Sequence, residues 1–212
     1  RVAPTCSSTR RCRGPRARVM MTGTPISRPM VVITDLVFGA ESPRVVKVLA
    51  THIANSWITG QHLLVLADAK LNPWGLKASA VAAAPYFGHK VDGAAPDAVD
   101  QLREAIRQCA EQSAKQRKLS DGAGPKLIAY EGGQHVLKSA TAINRSPAMH
   151  DLYLEYLREM SKYYSHFSHY CHVGRAGDHG AWGAIEFTGQ PVSAAPKYRA
   201  LLEWAHGPAK TP

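Results

Sequence analysis

The chain has 212 residues, is 45% hydrophobic and 20% charged, and carries a net charge of +10. That is enough chain to bury one full core, and no apolar run approaches the ~20 residues of a membrane-spanning helix, so no membrane partner is expected. The charge argues against a general nucleic-acid-binding face: Arg1, Arg10, Arg11, Arg13, Arg16, Arg18 and Arg28 all precede the first acid, Asp35, and without those seven the 26 basic residues fall to 19 against 16 acidic ones, a nearly balanced remainder.

Residues 1–34 therefore read as an Arg-rich segment, disordered or not part of the fold, and residues 35–212 as the fold. A basic arm that grips an anionic polymer is the other reading of 1–34. Cys6 and Cys12 lie in that arm, Cys109 in a helical pattern and Cys171 in a strand-like one. This spacing gives neither a zinc site nor a disulfide framework, so free thiols are expected.

After residue 40 strands and helices alternate. Arg44 to His52 is rich in β-branched residues and reads as a strand. Gly60 to Ala69 reads as a helix and Ser79 to Ala84 as a small-residue strand that runs into Pro85-Tyr-Phe-Gly88. Pro96 suits the first turn of a helix that carries Leu102, Ile106 and Cys109 and fades by Ser120. Leu127, Ile128, Ala129 and Tyr130 form a short apolar run without alternation, as in a buried parallel strand. The run ends in Glu131-Gly-Gly-Gln-His135, a carboxylate followed by two glycines that permit a sharp turn. Asn144 and Ser146 are candidate caps for a helix with Pro147 just inside it and Met149, Leu152, Tyr153, Tyr156, Leu157 and Met160 along its apolar line. His166 to Val173 reads as a fourth strand, Gly174 to Gln190 as a long loop with Trp182, and Pro196 onward as the last helix.

Four successive β-then-α units predict an α/β fold with a parallel sheet. It closes either as an open doubly wound sheet or as part of a (β/α) barrel. Neither G-x-G-x-x-G nor G-x-x-x-x-G-K-[ST] is present, so a phosphate-binding loop is not expected. The strand ends instead gather polar and aromatic residues: His52, Asn55 and Trp57; Tyr86 and His89; Glu131, Gln134 and His135; His169, His172 and Trp182. Rings beside hydrogen-bonding groups suit a sugar.

Several segments together resemble a known family: Val46-Lys-Val-Leu-Ala50 with Ala54-Asn-Ser-Trp57, Ala84 to Gly88, Ala129 to His135, Asp151 to Leu157, Gly180 to Glu186 and Ala195 to Leu202. They are similar to large bacterial proteins described as cellulose-binding or glycoside-hydrolase-like, related to retaining glycosidase barrels with one catalytic Glu after strand four and another after strand seven. The resemblance covers about Asp35 to His206. It implies a chain that is the C-terminal half, strands five to eight, of a TIM-type (β/α)8 barrel, with a secreted or periplasmic location for an intact parent. Glu131 would be the strand-seven nucleophile and Tyr86 the aromatic residue after strand six. The family's strand-four acid/base lies in a Ser-Asn-Glu-Val-Trp-Asn stretch, which this chain lacks.

On that reading the partner is a β-linked polysaccharide or oligosaccharide, with Gln134 and His135 holding hydroxyls or orienting Glu131, Trp57 and Trp182 stacking on sugar rings, and His52, Asn55 and Tyr86 completing the site. No cofactor or metal is expected. His166, His169 and His172 recur every third residue, with His179 beyond; on a strand residues three apart point to opposite faces and do not converge on one ion. Trp74 and Trp204 read as packing residues, Glu186 as half of a surface salt bridge, and Lys197 and Arg199 as the solvated face of the last helix. A half barrel leaves two open sheet edges, so self-association is expected. The alternative function is a non-catalytic carbohydrate-binding fragment.

Overall fold

The computed structural model describes residue 33, residues 35–40, 42–177 and 180–207. Apart from Ile33, the Arg-rich segment lies outside the described residues, as do Cys6, Cys12 and His179. The elements in chain order are β1 (Val48–Ala50), α1 (Ser56–Ala67), β2 (Ala80–Ala83), β3 (Tyr86–Phe87), α2 (Ala98–Ala123), β4 (Lys126–Ala129), β5 (Gly133–Gln134), α3 (Ala140–Arg145), α4 (Ala148–Ser161), a 3-10 turn at Val192–Ala194, and α5 (Pro196–His206).

The fold is mixed α/β with parallel strands. β1, β2 and β4 form one sheet in that order, with Leu49 beside Val81 and Val81 beside Leu127. Phe167 continues it by a single parallel bridge to Ala129. The segment expected as a fourth strand is otherwise irregular: Val173 turns away to bridge Ile185. The chain breaks after β2 and after β4, then pairs again, β3 with β5, so that Tyr86 stands beside Gly133 and Phe87 beside Gln134. This second, two-stranded sheet prolongs the carboxyl edge of the first.

One face of the main sheet carries Val81, Ala83, Leu127 and Ala129, which join the apolar stripes of α2 and α4 in one core. α2 buries Leu102, Ile106, Cys109 and Ala110 at helical spacing. Its outer face is laced by Arg107 with Glu104 and Glu111, and by Arg117 with Asp121. Each long helix packs on the next, α1 on α2, α2 on α4 and α4 on α5. Polar residues fix the layers. Gln116 of α2 donates to the His52 and Ile53 carbonyls after β1 and accepts from Thr59. Tyr156 donates to the Pro85 carbonyl at the β2 break, and the Tyr164 and Ser113 hydroxyls pair at 3.0 Å.

Burial and charge depart from the sequence reading at the last helix. Pro196 takes the first turn of α5 as expected, but Lys197, read as solvated, is only 1% exposed. The long loop 174–190 folds back over that first turn, which the helical period of α5 cannot reveal. Glu186 does pair with Arg145, through two bonds of 2.8 and 2.7 Å, yet its carboxylate is 7% exposed against 59% for the guanidinium. The Arg145 hydrogen bonds, with others from the Ala176 backbone and Asn144, hold it below the usual carboxylate range.

Candidate functional site

Glu131 stands just past β4, where the parallel strands end. The chain there runs close beneath aromatic side chains. A methyl group on Gly132 would lie 3.0 Å from the Phe167 ring and the Tyr156 hydroxyl, and one on Gly133, whose φ is +146°, 2.8 Å from the Tyr153 hydroxyl. The two glycines let the backbone pass under these rings while Glu131, just before them, stays partly exposed.

Phenols surround this carboxylate. Tyr86, at the start of β3, lies next to Glu131, whose charge bears on its phenol, and also interacts with Tyr130 and Tyr170. Burial first, and then the Glu131 charge, push the Tyr86 phenol far above its ordinary range. Burial and the same charge raise Tyr130. Both phenols therefore stay protonated across the physiological range and can donate. Tyr130 and Tyr170 are half exposed, so their rings reach solvent beside the carboxylate.

A row of rings leads away from Tyr86. His135 meets it edge-on at 5.2 Å, and Trp182 packs on His135 at 5.4 Å. Burial and neighbouring His89 push the His135 pKa below the ordinary value, which favours a neutral imidazole at pH 7. Trp182 is partly exposed and anchored through its own backbone, its carbonyl accepting from Cys171 N at 3.3 Å. The result is a carboxylate at one end, an indole at the other, and a phenol and an imidazole between them.

The structure thus brings together Glu131, Tyr86, His135 and Trp182. Gln134 goes elsewhere. It is fully buried, with its amide donating to the Ala181 carbonyl at 2.6 Å and accepting from Val136 N at 3.1 Å. It ties the Trp182 loop to β5 and does not open to the rim. His52, Asn55 and Trp57 lie at the junction of β1 and α1, on the same edge of the sheet, and none of the rim contacts given for Glu131, Tyr86, His135 and Trp182 involves their side chains. All three are exposed, Trp57 by 68%. Asn55 sits at the start of α1 without a side-chain cap bond.

Sequence reasoning missed the support beneath this row. The buried Tyr153 hydroxyl accepts from Gln134 N at 3.1 Å and pairs with His169 Nε2 at 3.0 Å. Burial, then the charge of Lys197 and His172, lowers the His169 pKa to about 4. The signal for Tyr153 lay in its helical register with Tyr156, which put both phenols on the core face of α4. Of the other histidines, His166 pairs with Ser168 and His172 packs edge-on against Tyr198. Among the described residues no group of three or more His, Cys, Asp or Glu side chains converges as a metal site would require. Cys109 and Cys171 are free thiols, and burial pushes the Cys109 thiol up to about 12.

Comparison with known proteins gives no match, neither to protein-family models, nor among curated proteins, nor among solved structures.

Proposed function

We propose that this chain is a glycoside-hydrolase-like protein that binds a β-linked polysaccharide along the Glu131–Trp182 rim, with Glu131 as the nucleophile of a retaining site. The fold is read as strands five to eight of a TIM-type (β/α)8 barrel. Sequential strand order supports this, as does a helix layer in which each helix packs on the next. A doubly wound sheet would reverse its strand order and place helices on both faces. Active sites of barrels lie at the carboxyl edge of the strands, which is where Glu131 stands.

The observation that carries the reading is the Tyr86 phenol next to the Glu131 carboxylate, with His135 and Trp182 extending the row. A phenol beside the carboxylate is a donor that can fix its orientation. The carboxylate can attack an anomeric carbon while the indole stacks on a neighbouring ring. Retaining hydrolysis also needs a second carboxyl group about 5–5.5 Å away to protonate the leaving oxygen. Glu186, the acid on the Trp182 side, is held by Arg145, and the sequence contains no match to the acid/base stretch. That favours a second reading, a carbohydrate-binding barrel fragment without catalysis.

An aryl β-cellobioside with a good leaving group separates the two, because it needs little acid assistance. Turnover by the wild type that is lost in Glu131→Gln, with an unchanged circular dichroism spectrum, supports the nucleophile. Turnover unchanged in that variant removes it. Cellohexaose binding without turnover, weakened about tenfold or more in Trp182→Ala, supports the binding fragment. Absence of both binding and turnover ends the carbohydrate reading.

A further inference from the structure

Lys197 is buried to 1% exposure on the first turn of α5, a position with no part in the chemistry above. Its Nζ donates to the Ala181 carbonyl and lies 5.8 Å from the centroid of the Tyr153 ring. The same carbonyl accepts from the buried Gln134 amide. Two buried donors therefore converge on one main-chain oxygen, and the next residue along the chain is Trp182. A buried ammonium is costly, and hydrophobic packing alone would close the first turn of a helix more cheaply. A cation kept here needs an acceptor worth that cost.

We propose that Lys197 is a positioning residue, which holds the Ala181 carbonyl and thereby seats the Trp182 indole against His135 at the Glu131 rim. An ammonium donates to a carbonyl about twice as strongly as a neutral amine does. The cation also gains from the face of Tyr153, the ring that holds β5 through Gln134 N. Lys197 thus joins α5, α4, β5 and the Trp182 loop at one point. The groups that bear on its proton are Cys171 and His169 from the segment after α4, Glu186 from the loop, and the Tyr153 phenol from α4. Burial lowers its pKa to about 7, with Cys171 and Glu186 acting the other way. The seat is accordingly firm below neutrality and loosens above it. The consequence for sugar affinity rests on the carbohydrate reading; the seating of Trp182 does not.

The test follows the Trp182 indole N–H by NMR in the whole chain, the resonance being identified by its loss in Trp182→Phe. In the wild type it should move with pH with a midpoint near neutrality. In Lys197→Met the step should vanish, and in Lys197→Arg, whose guanidinium never titrates in this range, the resonance should stay at its low-pH position. A step that persists in both variants overturns the proposal. Should neither variant fold, the wild type decides through two signals followed together, the 13Cε shift of Lys197 and the Trp182 indole N–H: a shared midpoint supports the role, and an indole that moves while Lys197 does not titrate, or a Lys197 that titrates without moving the indole, overturns it. Cellohexaose affinity should fall about tenfold in Lys197→Met and recover in Lys197→Arg. If the wild type binds no cellohexaose yet the indole step depends on Lys197, the carbohydrate reading fails and the positioning role stands. If all three proteins bind it equally, the positioning role fails and the carbohydrate reading stands.

Discussion

His169 shows how one partly buried imidazole makes the fold sensitive to acid. Free histidine titrates near 6.5, while burial and the Lys197 charge lower this ring to about 4. Between those values the unfolded chain binds a proton that the native ring refuses. Its contribution to stability is therefore complete above pH 6.5 and is lost as the pH falls to about 4, a change of about 3 kcal/mol at most. Urea unfolding at pH 7 and at pH 4.5 should show the wild type losing much of that difference. His169→Gln, which can still bond to Tyr153, should show a flatter profile. Equal slopes for the two proteins would assign the acid sensitivity to other groups. Residue-level reading of the sequence placed Glu131 at the carboxyl end of a strand, where it stands just past β4, because an apolar strand ending in a carboxylate and two glycines is a local pattern. It failed at Lys197 and Gln134 because their burial is created by the loop 174–190, and a covering loop leaves no period in the segment that it covers.

The break between β4 and β5 is the element on which the rim depends. Gly132 and Gly133 pass under Phe167, Tyr156 and Tyr153 with no room for a side chain. Gly133→Ala would force a methyl onto the Tyr153 hydroxyl and strain a backbone at φ +146°. We expect it to destabilise the fold by about 2–4 kcal/mol, read as a lower urea midpoint. Ala substituted at Gly122, where nothing lies within 4 Å, should leave the midpoint unchanged or raise it, since alanine favours a helix. Equal effects at the two positions would show that the close approach does not constrain the turn. Most long elements were legible because their apolar stripes recur at helical spacing. Others were not. The six-residue α3 is too short for a period to show. The segment from His166 to Val173 looked like a strand from Tyr170, Cys171 and Val173, but it meets β4 only around Phe167, through backbone bonds of Ser165, His166 and Ser168 to Leu127 and Ala129, and then leaves the sheet edge. α1 begins at Ser56, ahead of the expected Gly60, since Trp57 and Ile58 are helical although Trp57 buries little of its ring.

Among the described residues one sheet face is packed against helices, while the other leaves its outer strands exposed. Alternation along the strands places Val48, Ala50, Lys126 and Ile128 opposite the helix-covered face. On that face Val48, Ala50 and Lys126 of the outer strands are exposed and Ile128 is partly so, whereas Ala80 and Ala82 of the central strand are buried. Parallel sheets are ordinarily buried on both faces. β1 also pairs with β2 on one side only among the described residues, so its other edge offers unsatisfied backbone groups. α1, beside it, is apolar around its whole circumference yet fully buries only Thr59 and Leu63, a composition typical of a helix enclosed on every side. Between α1 and the end of α2 runs an apolar groove of about 900 Å³, lined by Leu63, Leu64, Leu76, Leu119 and Pro125. Water-exposed apolar surface of this extent drives association, because each Å² removed from water gains about 25 cal/mol. Copies of the chain are therefore expected to associate through the β1–α1 side. In light scattering the mass should rise with concentration, and Val48→Lys with Leu64→Lys should shift the protein towards monomer by placing charges on the edge and on the helix. A monodisperse wild-type monomer at high concentration would contradict this, and with it the argument that the β1–α1 side requires covering. Unchanged association in the double variant would move the contact to the Phe167 edge, the other end of the same sheet.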